Sequence, residues 1–294
     1  MPLKIAILGG GRFSVMIARE FIRCGHKIVG FSFPAWYADH AKRPVEDFTA
    51  ANHEIKLFRD LDELATQDLD FILATEYGNI IPERIFSLPK HGSYNVHNAL
   101  LPRYRGRHPL VWALIRGETE VGVTIHDITP ELDAGDIVYQ TSIPVSLEDT
   151  VASLGERLNA LVRDTICGTF NAIAEGSAQF LKQDPTKATF FGKRTPEMGF
   201  IKWNKPSLEV YNLVRALTKP YPGARTLHQG DMHLVWQVRR CDYKAPVGAP
   251  AGTVLSCTDS IVKVATADGA VEIIDRFIPG LKRGDLLTSP GDPF

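Results

Sequence analysis

One short stretch of the sequence carries an amide and an imidazole side chain two residues apart. Asn95 and His97 lie in a strand-like run that ends directly before the Leu-Leu-Pro turn at 100–102. Because successive side chains of a strand alternate between its faces, Asn95 and His97 leave the same face, with their backbones about 6–7 Å apart. Such a pair at the end of a strand can hold the oxyanion that develops on a carbonyl centre.

A carboxylate follows later, in the segment Leu132-Asp133-Ala134-Gly135-Asp136. Asp133 could orient the imidazole or help to remove a proton. Taken alone, Asn95 and His97 could be a strand-end pair, and Asp133 could cap a turn. No GxSxG segment and no cysteine lies nearby, which favours direct acyl transfer to a nucleophile that the substrate itself supplies.

The three segments together resemble the signature of the formyltransferases that use 10-formyltetrahydrofolate. That signature reads Asn-x-His-x-Ser-Leu-Leu-Pro-x-x-Arg-Gly, followed by a distal Asp in Leu-Asp-x-Gly, and only its Ser is changed here, to Ala99. The resemblance implies that Asn95, His97 and Asp133 are the catalytic groups. It also implies that 10-formyltetrahydrofolate is the co-substrate. We expect no metal, because a deprotonated or desolvated amine of the substrate is already a nucleophile at neutral pH.

The second half of the chain resembles the C-terminal domain of the same family. The segments that carry this likeness are 191–197, 201–203, 212–216 and 220–224. They are most similar to sugar N-formyltransferases, including the domain that formylates 4-amino-arabinose in polymyxin resistance and the enzymes of O-antigen (lipopolysaccharide) biosynthesis. The implied reaction formylates a primary amine of a nucleotide-linked amino sugar. A methionyl-tRNA formyltransferase is the main alternative. Glycinamide ribonucleotide is the least favoured acceptor, because the enzymes that formylate it generally lack such a second domain. A nicotinamide-dependent oxidoreductase and a non-catalytic folate-binding protein are weaker alternatives.

The hydrophobic pattern of the first half predicts a doubly wound α/β sheet, which is Rossmann-like. Apolar runs at 5–8, 28–33, 71–74 and 94–97 are typical of buried parallel strands. The spacing of Val15, Ala18, Phe21 and Ile22 predicts a helix between the first two strands. A later strand pair is expected at 121–125 and 137–145. A long amphipathic helix follows from Val151, with Asp149 or Thr150 as its cap.

The composition changes after this helix. A short helix over about 207–217 and alternating segments at 253–255, 261–265 and 271–274 indicate a small barrel, which the resemblance makes OB-like. We therefore predict a formyltransferase catalytic domain over 1–188 and an OB-like domain over 189–294.

The loop after the first strand reads Gly9-Gly10-Gly11-Arg12-Phe13-Ser14. It is not a dinucleotide fingerprint, because Ser14 stands at the third glycine position and no acidic residue ends the second strand. It could be a structural turn, or it could hold a substrate phosphate at the helix N-terminus. We predict that the acceptor substrate contacts Gly10, Gly11, Arg12, Phe13, Ser14 and Arg105.

Two further loops are expected to form the folate pocket, as the resemblance implies. The predicted contacts are Tyr77, Gly78, Ile80 and Ile81 on one side, and Asp127, Ile128 and Asp136 on the other. The basic cluster of Arg103, Arg105, Arg107 and His108 could bind a phosphate or folate carboxylate, or could simply be solvated. Trp36 and Tyr37 could stack on a base or sugar, or could cover a loop, and His126 is expected to be structural.

The overall composition is that of an ordinary globular protein. The 294 residues include 33 Lys and Arg against 34 Asp and Glu, a balance that disfavours a nucleic-acid partner. The four cysteines form no CxxC motif, so free thiols are expected and a zinc site is not. No signal peptide or apolar run of about 18 residues is visible, so we expect a cytoplasmic protein without a membrane span. A homodimer would fit the sugar relatives.

Overall fold

The computed structural model describes residues 1–243, 248–258, 260–274 and 278–291. The chain divides into two compact units, each described by itself below. Unit 1 comprises residues 1–106, 121–143 and 156–191, and unit 2 comprises 107–120, 144–155 and 192–294. The predicted division into domains at residues 188 and 189 stays a prediction. Among the described residues, no helix has the length and apolar character needed to cross a membrane.

Unit 1 is built on a seven-stranded sheet, in the order β3-β2-β1-β4-β5-β7-β8. Its strands are β1 (Lys4–Gly9), β2 (Lys27–Ser32), β3 (Lys56–Phe58), β4 (Phe71–Thr75), β5 (Ser93–His97), β7 (Glu120–Asp127) and β8 (Ile137–Pro144). A small ladder joins β6 (Arg105–Gly106) to β9 (Phe190–Phe191). Strands β1 to β5 are parallel, whereas β7 runs antiparallel to β5. The predicted α/β sheet and its predicted strands are confirmed.

The order of the strands creates a switch point, because β1 lies between β2 and β4. In open sheets of this kind, ligands bind beyond the carboxyl ends of the strands at such a point. The glycine loop follows β1, the segment 76–82 follows β4, and Asn95 and His97 end β5. The topology therefore brings the segments selected from the sequence to one edge of the sheet.

The helices largely follow the hydrophobic pattern. They are α1 (Gly11–Arg23), α2 (Asp39–Ala51), α3 (Glu83–Phe86), α4 (Pro109–Ile115), α5 (Val151–Ala174) and α6 (Ser207–Leu217), with 3-10 turns at Leu61–Thr66, Pro185–Lys187 and Pro196–Gly199. The expected place of Ile22 on the buried face of α1 is wrong: Ile22 is 42% exposed, and Ile17 is buried instead. Thr150 caps α5, since its hydroxyl oxygen accepts the Ser153 N–H at 3.2 Å.

The expectation of free thiols is wrong for two of the four cysteines. Cys24, directly after α1, forms a disulfide with Cys167 of α5, with a Cα–Cα distance of 6.6 Å. The two residues are 143 positions apart, so their proximity is a property of the folded chain. Cys241 and Cys257 are free.

Unit 2 contains two small antiparallel sheets. One joins β10 (Ala224–His228), β11 (Asp231–Val235) and β16 (Leu287–Thr288), and the other joins β12 (Val238–Cys241), β13 (Val254–Cys257), β14 (Val262–Ala265) and β15 (Ala270–Ile273). The three strands predicted here are confirmed as β13, β14 and β15. That the sheets form an OB-like barrel stays a prediction.

Candidate active site

Strand β5 presents the amide and the imidazole at the edge predicted from the sequence. Asn95 pairs with His126 of β7, and His97 pairs with Thr124 of the same strand. Ring centroids of His97 and His126 lie 6.3 Å apart. Both histidines are buried, so their ring nitrogens need hydrogen-bond partners within the protein.

A strained loop brings the carboxylate to these groups. Asp133 is 9% exposed and has a φ of 52°, which a residue with a Cβ adopts only when its surroundings hold it there. Its Oδ2 accepts the backbone N–H of Gly106 at 2.7 Å. Its backbone carbonyl accepts a hydrogen bond from Gln183 Nε2 at 2.9 Å. The loop is therefore fixed from two sides.

The three predicted catalytic side chains form one cluster. Asn95 Nδ2 lies 3.4 Å from Asp133 Oδ1, and His97 Nδ1 lies 3.9 Å from Asp133 Oδ2. His126 joins the cluster, with its Nε2 3.2 Å from Asn95 Nδ2 and 3.6 Å from Asp133 Oδ1. The structure thus brings together groups that are 38 residues apart in the chain.

Contacts with backbone carbonyl oxygens indicate which nitrogen of each imidazole carries a proton. His97 Nε2 lies 2.8 Å from the carbonyl oxygen of Tyr104, and His126 Nδ1 lies 2.7 Å from that of Asp127. A carbonyl oxygen only accepts, so each of these nitrogens carries a hydrogen. His97 Nδ1 and His126 Nε2 are then the nitrogens that face the cluster without a proton when the rings are neutral.

The charges of the cluster follow from burial and from contacts. Burial lowers the pKa of His97 by more than the charge of Asp133 raises it, so the ring is neutral near pH 7. Burial would raise the pKa of Asp133, but the neighbouring His126 and His97 rings and the hydrogen bond from the Gly106 N–H outweigh it and lower that pKa to about 2. The resting site thus holds a neutral imidazole beside an ionised carboxylate.

Gln183 is a site residue that the sequence analysis did not find. Its Nε2 also donates to Gly135 O at 2.7 Å, and its Oε1 accepts from Arg105 Nη2 at 2.9 Å. Gln183 therefore joins the Asp133 loop to the Leu-Leu-Pro segment. No signal in the local sequence marks it, because it lies in a polar connection 50 residues beyond Asp133. His126, expected to be structural, lies opposite Asn95 in the strand register, and its structural role stays a prediction.

Arg105 was predicted to contact the substrate, and in the structure its side chain is buried beside the loop of Asp133. Its side chain is 2% exposed, and it donates to Gln183 and to Glu131 Oε1, the latter at 3.1 Å. The guanidinium also lies over the ring of Phe190, at 5.5 Å. These contacts hold the loop, and substrate contact by Arg105 stays a prediction.

The glycine loop is held tightly against the sheet. A Cβ added to Gly9 would lie 2.2 Å from the carbonyl oxygen of Thr75, so only glycine fits there. The hydroxyl of Ser14 is buried and lies 2.6 Å from Thr75 Oγ1 and 2.7 Å from Gly10 O. Phe13 is also buried. The side chains of Phe13 and Ser14 therefore serve packing, and only their backbone could meet a ligand.

The remaining predicted acceptor contacts lie at the start of α1. Gly11 has a φ of 77°, and an added Cβ would meet nothing within 4 Å. Arg12 is exposed and lines a groove of about 590 Å³ between α1 and α2, to which Phe48 and Arg163 also contribute. Asn95, His97 and Asp133 do not line this groove. The structure thus does not bring Arg12 together with the three predicted catalytic residues.

The loops predicted to bind folate meet on one hydrophobic cluster. Tyr77, Ile81 and Ile128 all pack against the core group that includes Ala74 and Ile85. Ile80, in contrast, is 83% exposed. The two loops thus share an apolar floor, while Ile80 is available to an incoming ligand.

The acidic residues of the second loop are held by the backbone. The N–H of Asp127 donates to the carbonyl oxygen of Asp136 at 3.0 Å, and burial raises the pKa of Asp127. A Cβ added to Gly135 would lie 2.1 Å from Asp127 O, so the chain can close here only with glycine. These contacts set the loop that carries Asp133.

Trp36 and Tyr37, which follow β2, contact the loop that follows β4. The Tyr37 hydroxyl donates to Glu76 O at 2.6 Å and accepts the Gly78 N–H at 3.1 Å. The indole N–H of Trp36 donates to Asn79 Oδ1 at 3.1 Å, and its ring covers Gly78. The aromatic pair therefore covers a loop, while Trp36 keeps 57% of its surface exposed.

Comparison with known proteins gives matches over most of the chain. The sequence model described as formyl transferase matches residues 33–167, and the model of the formyl transferase C-terminal domain matches 193–283.

Solved structures show the same fold. WlaRD, a sugar 3N-formyl transferase crystallised in the presence of dTDP and 5-N-formyl-THF, superposes with a TM-score of 0.73 at 20% identity, covering 94% of this chain and 100% of WlaRD. The N-formyltransferase of Helicobacter canadensis, in complex with folinic acid and dTDP-3-aminofucose, gives 0.71 at 18% identity, covering 94% and 100%. HypX of Aquifex aeolicus, in complex with tetrahydrofolic acid, gives 0.66 at 21% identity; the match covers 93% of this chain but 44% of HypX. With its two domain matches, the chain belongs to the formyl transferase family.

Proposed function

We propose that this protein transfers the formyl group of 10-formyltetrahydrofolate to a primary amine of a nucleotide-linked amino sugar. The observation that carries the proposal is the buried cluster of Asn95, His97 and Asp133, with a neutral imidazole beside an ionised carboxylate. No nucleophilic side chain belongs to this cluster, so the amine of the acceptor attacks the formyl carbon directly.

His97 moves the proton in this mechanism. As the amine nitrogen bonds to the formyl carbon, its proton passes to His97 Nδ1, because Nε2 already donates to Tyr104 O. Asp133, 3.9 Å from Nδ1, stabilises the imidazolium that forms. The bond from the formyl carbon to N10 of the folate then breaks, and N10 leaves with the proton that His97 returns. His97 ends neutral, as it began.

Asn95 supplies the donor for the oxyanion. In the free protein its amide hydrogens point to His126 Nε2 and Asp133 Oδ1, at 3.2 and 3.4 Å. Both distances exceed the usual 2.9–3.0 Å, so these hydrogen bonds are weak. The formyl oxygen takes the place of one of these acceptors as it gains negative charge. Removal of one such donor typically lowers the rate by ~10²–10³.

The choice of formyl-folate rests on the two loops that meet on a common apolar floor. Tyr77, Ile81 and Ile128 bring apolar surface together, and the exposed Ile80 extends it. A flat pterin needs such a surface together with a few fixed polar groups. Three proteins of the same fold were crystallised with formylated or unmodified tetrahydrofolates.

The choice of acceptor rests on charge and on the similar structures. From Thr195 to Phe294 the sequence has 12 Lys and Arg against 10 Asp and Glu, which provides little attraction for a large RNA. WlaRD and the Helicobacter canadensis enzyme, which this chain covers in full, were crystallised with dTDP or a dTDP-linked amino sugar. Methionyl-tRNA is the second candidate, since its formylation would use the same cluster.

The test is a formyl-transfer assay that follows release of tetrahydrofolate. We expect turnover with at least one nucleotide-linked 3- or 4-amino sugar, and none with methionyl-tRNA. Asn95→Ala and His97→Ala should each lower kcat by at least ~10² while thermal denaturation shows an intact fold. Turnover with methionyl-tRNA alone would show that methionyl-tRNA, and not an amino sugar, is the acceptor. Near-normal rates in both variants would overturn the mechanism. No turnover with any acceptor, while tetrahydrofolate still binds, would favour a non-catalytic folate-binding protein.

A further inference from the structure

Arg107 and His108, directly before α4, and Lys193 and Arg194 form a cluster of positive charge in unit 2. The pKa of His108 is lowered by burial and then by the charges of Arg194, Arg107 and Lys193, which all act in the same direction. The His108 ring lies 6.1 Å from that of Tyr221, edge to face. Three cationic side chains therefore lie near enough to His108 to disfavour its charged form.

The Arg194 guanidinium has both contacts and unpaired donors. Its guanidinium lies over the indole of Trp112, at 5.3 Å, and its Nη2 donates to Met198 O at 2.5 Å. Its Nε and Nη1 are buried and have no hydrogen-bond partner. Burial lowers the pKa of Arg194, but an arginine does not lose its proton in proteins, so the charge remains.

Buried donors without a partner are rare, because each one costs free energy relative to water. Cations that repel one another add to this cost, and a single polyanion would relieve both. A phosphate group matches a guanidinium fork with two parallel hydrogen bonds. The combination of orphaned donors and like charges therefore indicates an anionic ligand that the free protein lacks.

We propose that Arg107, Lys193 and Arg194 bind the diphosphate of the nucleotide-linked acceptor. Binding turns the Arg194 side chain so that Nε and Nη1 meet phosphate oxygens. Lys193 is exposed and adds a second positive charge, and the Trp112 ring packs against the Arg194 guanidinium. The identity of the diphosphate as part of the acceptor rests on the proposed function, whereas binding of a diphosphate anion does not.

The chain itself links this cluster to the catalytic residues. Arg107 and His108 directly follow Gly106, whose N–H holds Asp133. His108 has a φ of 56°, an uncommon conformation for a residue with a side chain, and this conformation begins α4. The loop that fixes the catalytic carboxylate thus continues directly into the proposed diphosphate site.

The test measures binding of inorganic diphosphate, dTDP, UDP and thymidine to the full chain by calorimetry and by thermal shift. We expect the three diphosphates to bind and to raise Tm, and thymidine to do so far more weakly. Arg194→Gln should weaken diphosphate binding at least tenfold and abolish the Tm shift. The matched control is Arg240→Gln, an exposed arginine on β12, which should bind like the wild type.

Other variants and ligands keep the test decisive. If Arg194→Gln fails to fold, Lys193→Gln should still weaken diphosphate binding several-fold, against Lys202→Gln as its control. Equal binding by wild type and Lys193→Gln, or no diphosphate binding by the wild type, would overturn the proposal. So would a loss of tetrahydrofolate or transfer-RNA affinity in Arg194→Gln with diphosphate binding unchanged. Diphosphate binding without formyl transfer would keep this site and reject the proposed function.

Discussion

The exchange of Asp133 for asparagine tests the central step of the proposed mechanism. Asn keeps the size of the side chain, and its oxygen can still accept the Gly106 N–H. What it removes is the negative charge 3.9 Å from His97 Nδ1. Because His97 is neutral at rest and gains a proton during transfer, this charge stabilises the transition state more than the ground state.

The geometry sets the expected size of the effect. Two unit charges about 4 Å apart interact by about 4 kcal/mol at an effective dielectric constant near 20, which corresponds to roughly 10³ in rate. The shift of the Asp133 pKa from 3.8 to about 2 gives a smaller value, about 2 kcal/mol. That value includes the cost of burial and is shared with His126 and Gly106. We therefore expect kcat to fall between about 30-fold and 10³-fold.

The assay compares kcat of wild type, Asp133→Asn and the control Glu54→Gln, an exposed carboxylate remote in sequence from the cluster. Substrates are saturating, and thermal denaturation reports the fold. A second readout is the acid limb of the pH–rate profile, which should move to lower pH in Asp133→Asn because the imidazolium loses its partner. A kcat within tenfold of wild type, with an unmoved acid limb, would refute the role given to Asp133.

Three further predictions concern other parts of the molecule. The kcat/KM of the wild type should fall on acidification only below the usual pKa of histidine, because burial lowers the pKa of His97. An acid limb of the pH–rate profile at or above pH ~6.5 would contradict this. Cys24→Ser should lower the free energy of unfolding by about 2–4 kcal/mol in denaturant titrations under oxidising conditions, because the disulfide of Cys24 with Cys167 closes a long loop. Under full reduction the substitution should have no effect. Equal stability of the oxidised wild type and the variant would contradict this prediction. Gly135→Ala should lower kcat at least tenfold, as its Cβ would lie 2.1 Å from Asp127 O and must displace the loop of Asp133; unchanged kcat would show that the loop does not position that carboxylate.

The pKa of Asp133 also links the site to acid stability. In the folded protein this pKa is depressed to about 2, so the charged side chain stabilises the fold above its ordinary pKa near 4. That contribution is lost as the pH falls from about 4 to about 2. The stability difference between wild type and Asp133→Asn should accordingly shrink over this window.

Much of the sheet could be predicted because buried parallel strands are apolar along their whole length. The strands β1, β4 and β5 stand out in this way, and their positions were predicted to within a residue or two. The strands β10 to β12 were not predicted. β12, for example, contains the exposed Arg239 and Arg240, and its strand conformation depends on pairing with β15, which is distant in sequence.

The disulfide could not be predicted from the sequence. The spacing of the cysteines suggested free thiols, because Cys24 and Cys167 belong to no local motif. Their proximity comes from the packing of α1 against α5, as the contact of Phe21 with Phe170 also shows. A pattern read along the chain carries no information on the distance between such positions.

The sequence by itself determined that Asn95 and His97 share a face, because alternation along a strand is a local property of the backbone. Likeness to a family signature added Asp133. Only the tertiary structure decided which nitrogen of His97 faces the carboxylate, and that Gln183 and Arg105 hold the loop in place. Those facts depend on contacts between segments as many as 78 residues apart, and burial, which sets the charges of the site, exists only once these segments have packed together.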